Sequence, residues 1–215
     1  MLDLHAPALP PGLGERLPRE VYKRDFRQRD AEIRNGNSWK LERRQHFVEQ
    51  GSASWEALCR GDWDEALRLF EERRDALRRS SLDDQQRGSA FHRVRVVEQP
   101  LTPYLQWELH SLRQRAQYGE RVRVVSAETV APYEARERLP ELTILDERTL
   151  YRVLYTEAGV PEGAVRYTDP IVVSDWVTYL RGLHAASEDV ASYVEREVAH
   201  LPPPEIIPSR PARSE

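Results

Sequence analysis

The chain has 215 residues, 40% of them hydrophobic and 32% charged, and its 36 acidic side chains outnumber its 32 basic ones to give a formal charge of −4. That length supports one sizeable hydrophobic core without covalent staples, and the charge balance excludes a global positive field that would attract nucleic acid or an anionic membrane. The single cysteine, Cys59, excludes an intramolecular disulfide framework, and no apolar run reaches the roughly 18 residues that a membrane span needs.

Residues 1–20 hold four prolines and two glycines without apolar periodicity, and they read as a disordered tail. They also lack the apolar centre of a signal peptide, so a cytoplasmic location is expected. Residues 21–79 read as a helical N-terminal segment. Within it Ser54 is placed to cap a short helix ending near Cys59, and Asp62, with Glu65 three residues on, opens a second helix as a capping box does. Trp63, Ala66, Leu67, Phe70 and Leu77 share one face of that second helix. The polar stretch "SSLDDQQRGS" at 80–89 reads as a turn and a boundary.

Residues 90–200 read as a mixed α/β domain. A strand "FHRVRVV" (91–97) leads to a helix opened by Thr102 and Pro103, and a second strand "RVRVV" (121–125) follows. "LTILD" (142–146) and "LYRVLY" (150–155) form a hairpin, "AVRYT" (164–168) adds a strand, and Asp169-Pro170 starts another helix. Ser187 is placed to cap a last helix, and residues 201–215 read as a Pro-rich disordered tail. The expected fold is α+β (or α/β): a mixed sheet of about four or five strands, containing a strand–helix–strand unit and preceded by an N-terminal helical arm.

The pentapeptide RVRVV occurs twice, at 93–97 and 121–125, with starts 28 residues apart. That spacing fits a strand–helix–strand unit, so the copies are expected to be parallel neighbours rather than an internal duplication. Alternation sends Arg93 and Arg95 to one face of their strand, and Arg121 and Arg123 to one face of theirs. Side-by-side pairing would then place four guanidinium groups on a single face, a site for a phosphate or carboxylate. The competing reading pairs the arginines with Glu98, Glu108, Glu120 and Asp146 on a partly covered sheet.

The six histidines lack the spacing of a metal site, and no phosphate-loop, dinucleotide-binding or hydrolase-elbow motif occurs. No cofactor and no metal is expected. Trp39 and Trp55 flank a charged stretch that could form an exposed interaction arm with an aromatic anchor.

The segments "FHRVRVVEQPLTPYLQWELHSLRQRAQYGERVRVV", "LTILDERTLYRVLY" and "YTDPIVVSDWVTYLRGLHAAS" resemble an uncharacterised actinobacterial domain family found beside helix-turn-helix regulators, and "WKLERRQHFVEQGSASWEALCRGDWDEALRLFEERR" resembles its longer variant. The resemblance implies a bacterial cytoplasm and a transcriptional regulator as partner. A weaker similarity, over residues 102–183, is to phospholipase-D-like effector domains. Those enzymes use His-x-Lys, and this chain has no lysine after Lys40, so that similarity implies a non-catalytic version.

The functional expectation is therefore a non-enzymatic regulatory or accessory protein that binds a partner protein or a small anionic ligand, with no membrane partner. Its candidate binding residues are Arg93, Arg95, Arg121, Arg123, Glu108 and Trp39, with Arg95 and Arg123 expected to be dispensable for folding. The alternative is an enzyme of unrecognised type acting on a phosphate-containing substrate through Arg95, Glu108, His110 and Asp146. Direct nucleic-acid binding is disfavoured by the acidic balance.

Overall fold

The computed structural model describes residues 5–134 and 137–206, and the expected tail residues 1–4 and 207–215 lie outside them. The fold is α+β, built on one mixed sheet. Its strands are β1 (Glu15–Pro18), β2 (Asn37–Glu42), β3 (Ala90–Val97), β4 (Arg121–Ser126), β5 (Leu142–Leu145), β6 (Thr149–Tyr155), β7 (Pro161–Tyr167) and β8 (Glu188–Asp189). They lie in the order β1-β7-β6-β5-β2-β3-β4-β8, so the sheet has eight strands rather than the expected four or five. Strands β2, β3 and β4 run parallel, and every other neighbouring pair is antiparallel.

The helices are α1 (Arg19–Glu32), α2 (Ala53–Cys59), α3 (Trp63–Glu72), α4 (Arg74–Arg87), α5 (Pro103–Gln117), α6 (Ala127–Val130), α7 (Pro170–Ala185) and α8 (Val190–Glu197). None among the described residues is long and apolar enough to cross a membrane. Local chemistry fixes several starts. Thr102 accepts the Leu105 N–H at 3.1 Å ahead of Pro103, and Asp169 accepts the N–H groups of Ile171 and Val172 at 3.0 and 3.1 Å ahead of Pro170. Asp62 caps α3 as expected, because a short polar side chain satisfies donors that a helix start leaves open.

Several segments differ from the sequence reading. Residues 1–20 are not wholly a tail: Leu17 of β1 is buried, and Ala6 and Leu9 pack on the core. Residues 37–42, read as part of a helical segment, form β2 in the middle of the sheet. The stretch read as a boundary at 80–89 continues α4 to Arg87, and Gly88 ends that helix with φ 64°, a left-handed value that glycine adopts without steric cost. The segments on either side of 80–89 thus contribute strands to one sheet. Two caps also move. Ser52 caps α2, while Ser54 bonds the Ala66 carbonyl and the Trp107 indole; Asp189 caps α8 in place of Ser187. At the C-terminal end the Pro202 carbonyl accepts from Gln106 at 2.8 Å, and Ile206 packs on a core cluster.

The sheet buries both faces. On one, Leu41, Val94, Val96, Ile144 and Leu150 meet Val173, Trp176 and Leu180 of α7. On the other, Val97, Val122 and Val124 meet Leu105, Leu109 and Leu112 of α5, with α2, α3 and α8 packed alongside. We call these the α7 face and the α5 face.

Candidate functional site

The two RVRVV strands are parallel neighbours, joined by α5 as the spacing predicts, but their register is offset by one residue. Arg93 lies opposite Val122, Val94 opposite Arg123, and Arg95 opposite Val124. A one-residue offset exchanges the faces of a strand. Arg93 and Arg95 therefore point to the α5 face, whereas Arg121 and Arg123 share the α7 face with Val94 and Val96. The expected single face of four arginines does not exist.

The α5-face pair is neutralised inside the protein. Arg95 is fully buried (0% exposed) and donates from Nε to Glu108 at 2.7 Å and from Nη1 to the carbonyl oxygens of Glu42 and Val96, both at 3.2 Å. Arg93 pairs with Glu42 at 2.6 Å and with Glu120 at 2.5 Å. Burial opposes the charge on both arginines, yet Glu108 and Glu42 around Arg95, and Glu120 and Glu42 around Arg93, outweigh it and hold each guanidinium above its ordinary value. Burial likewise opposes ionisation of Glu42, and Arg93, Lys40 and Arg95 overcome it, holding that carboxyl far below the usual range. Such a network fixes one arrangement of side chains and offers no free cation to a ligand.

The α7-face pair is different. Arg121 is exposed and Arg123 half-buried, and neither makes an ion pair among the described residues. They lie beside a ring cluster at the starts of the parallel strands. Trp39 of β2 stacks on His92 of β3 with centroids 4.1 Å apart, and His184 of α7 meets both edge-on, at 5.8 and 5.4 Å. His92 Nε2 donates to Asn37 Oδ1 at 2.9 Å, which leaves its buried Nδ1 without a partner. His184 Nε2 donates to the Arg121 carbonyl at 2.9 Å. Glu147, in the β5–β6 turn, accepts from the Trp39 indole and from Arg181, each at 2.9 Å.

The electrostatics of this cluster are one-sided. Burial first, then Arg121, His184 and Arg181, lower the His92 pKa to about 4. His184 is also lowered, by burial and by Arg123 and Arg121, against its bond to a carbonyl. Burial is the larger cause at both rings, and the arginine charges add to it; Glu147, and Asp189 opposite Arg123 in β8, are the carboxylates on this side. Two arginines that make no ion pair among the described residues, one of them exposed, are suited to receive an oxyanion.

The structure therefore divides the six residues singled out from the sequence. Trp39, Arg121 and Arg123 come together on the α7 face, and Arg93, Arg95 and Glu108 on the α5 face. Trp39 is 4% exposed, so it is a wall of the cluster and not an anchor on a free arm. The grouping proposed for an enzyme is dispersed: His110 of α5 lies against Trp63, while Asp146 sits in the β5–β6 turn paired with Arg148. Sequence reasoning missed His92, His184 and Arg181. Their signal was weak, since His92 directly precedes the first RVRVV and only the strand pairing shows that it lies opposite Arg121.

Among the described residues no group of three or more His, Cys, Asp and Glu side chains could hold a metal ion. No curated protein matches the chain. A family model described as "Domain of unknown function (DUF6879)" matches residues 24–195, a span that runs from α1 through β2–β8 into α8 and includes every residue of the ring cluster, and the chain belongs to that family.

Proposed function

We propose that this is a non-enzymatic regulatory or accessory protein that binds a small anionic ligand, of the phosphate or carboxylate class, at Arg121 and Arg123 beside the Trp39–His92–His184 cluster. The observation that carries the reading is the pair of arginines that make no ion pair among the described residues, next to two histidines whose protonation burial disfavours and arginine charge disfavours further. An anion bound there relieves the repulsion and takes charge-assisted hydrogen bonds, each worth about 1.5–3 kcal/mol. The resemblance to domains found beside helix-turn-helix regulators supports a cytoplasmic, actinobacterial setting in which a transcriptional regulator is the protein partner and the ligand tunes that contact. Arg121 and Arg181 are exposed and within reach of such a partner.

Isothermal titration with inorganic pyrophosphate tests the ligand site. The intact protein is expected to show saturable one-site binding, weakened roughly 10- to 100-fold per arginine replaced in Arg121→Gln and Arg123→Gln and further weakened by added salt. Absence of saturable binding, or the parent's affinity retained in both variants, overturns the assignment.

A further inference from the structure

A cavity lies on the α7 face, away from the ring cluster, between α7 and the N-terminal segment. Its volume is about 750 Å³, within the range of small-molecule sites. Pro7, Leu9, Pro132 and Tyr133 give it apolar walls, and His5, Glu137, Arg138 and Arg152 of β6 line the rest. Trp176 of α7 also lines it. That side chain is 1% exposed, and its indole N–H has no hydrogen-bond partner.

The indole nitrogen has no accessible surface, so Trp176 closes the floor of the cavity and offers a ligand its ring rather than its N–H. The rest of the lining narrows the chemistry. Prolines and Tyr133 favour a planar ring system over a flexible chain, since rigid flat walls pack best against a rigid flat body. Arg152 supplies a cation whose carboxylate partner is the exposed Glu137, at 3.1 Å. An ion pair so exposed contributes little, and Arg152 is free to exchange it for a ligand anion.

The geometry points to a binding site for a small aromatic carboxylate or sulfonate, its rings between the proline walls and its charge on Arg152. This site is separate from Arg121 and Arg123, and its occupancy does not depend on the reading proposed for them.

Fluorescence titration of the full chain with 1-anilinonaphthalene-8-sulfonate, an aromatic anion that brightens when shielded from water, tests the assignment. The expected result is saturable one-site binding, weakened about tenfold in Arg152→Gln and unchanged in Arg121→Gln/Arg123→Gln. Arg152 belongs to none of the buried clusters, so its variant keeps the fold. Equal affinity in Arg152→Gln and the parent, a loss confined to the Arg121/Arg123 variant, or a signal that never saturates overturns it.

Discussion

Arg95→Ala is expected to lower the unfolding free energy by about 3–5 kcal/mol, the cost of leaving a buried charge without its partner. Glu108 and Glu42 would remain in the interior, facing one another without the guanidinium that now lies between them. For a protein of this size the loss corresponds to a fall in Tm of roughly 6–20 °C, measurable by calorimetry. The double variant Arg95→Met/Glu108→Leu should recover much of it, because it removes both charges and keeps the volume. Equal stability of Arg95→Ala and the parent would show that the network contributes nothing. The sequence reading made Arg95 a binding residue dispensable for folding; the structure makes it the most deeply buried charge of the network, and the proposed binding rests on Arg121 and Arg123.

The second large effect concerns Glu141, which precedes β5. Its Oε1 accepts the backbone N–H groups of Arg43 and Arg44 at 2.9 and 2.6 Å. Burial pushes its carboxyl up to about 7, against the pull of Arg95 and of those two donors. A carboxyl whose folded pKa exceeds its unfolded value favours the folded state while protonated. Its contribution is complete below about pH 4.5 and is lost as the pH rises through 7, at about 1.36 kcal/mol per pKa unit. Glu141→Gln, which mimics the protonated form, should therefore be more stable than the parent at pH 8 by up to about 3 kcal/mol, the difference vanishing near pH 4.5.

Two other groups act with the opposite sign. His92, neutral when buried, loses stability as the pH falls from 6.5 toward 4, and Glu42 does so below the ordinary carboxylate range. Comparing denaturant midpoints of parent and variant across pH cancels both and isolates Glu141. Parallel pH profiles would sink the assignment.

The element pattern from residue 90 onward was largely legible in the sequence, because helix caps and alternation are local signals. Thr102-Pro103 and Asp169-Pro170 start helices for reasons visible in four residues. Strand β2 was hidden. Its "NSWKLE" carries Lys40 and Glu42 on what reads as a solvated face, and only the tertiary structure shows Glu42 buried between lysine and arginine partners. Strand β8 has two residues, too few for any periodicity.

The candidate site was half legible for a related reason. Alternation reveals which residues of one strand share a face, but it does not say which residue of the neighbour lies opposite. That offset is set by how α5 and the turn at Gly119, with φ 102°, return the chain to the sheet. The pairing of arginine with valine across β3 and β4 turned one imagined patch of four arginines into a neutral interior pair and an α7-face pair that makes no ion pair among the described residues. The carboxylates Glu108 and Glu120 were recognisable as partners; they serve Arg95 and Arg93, and Glu120 also meets Arg115.

The central claim is that the α7-face pair, and not the RVRVV repeat as a whole, receives an anion. The most direct measurement is the pKa of His184 by NMR titration of the imidazole protons, with and without inorganic pyrophosphate, in the parent and in Arg121→Gln/Arg123→Gln. The prediction is an upward shift with pyrophosphate in the parent and none in the variant, since a bound anion offsets the charges that now depress the ring. A His184 pKa indifferent to pyrophosphate in the parent, or a shift of equal size in the variant, would contradict it.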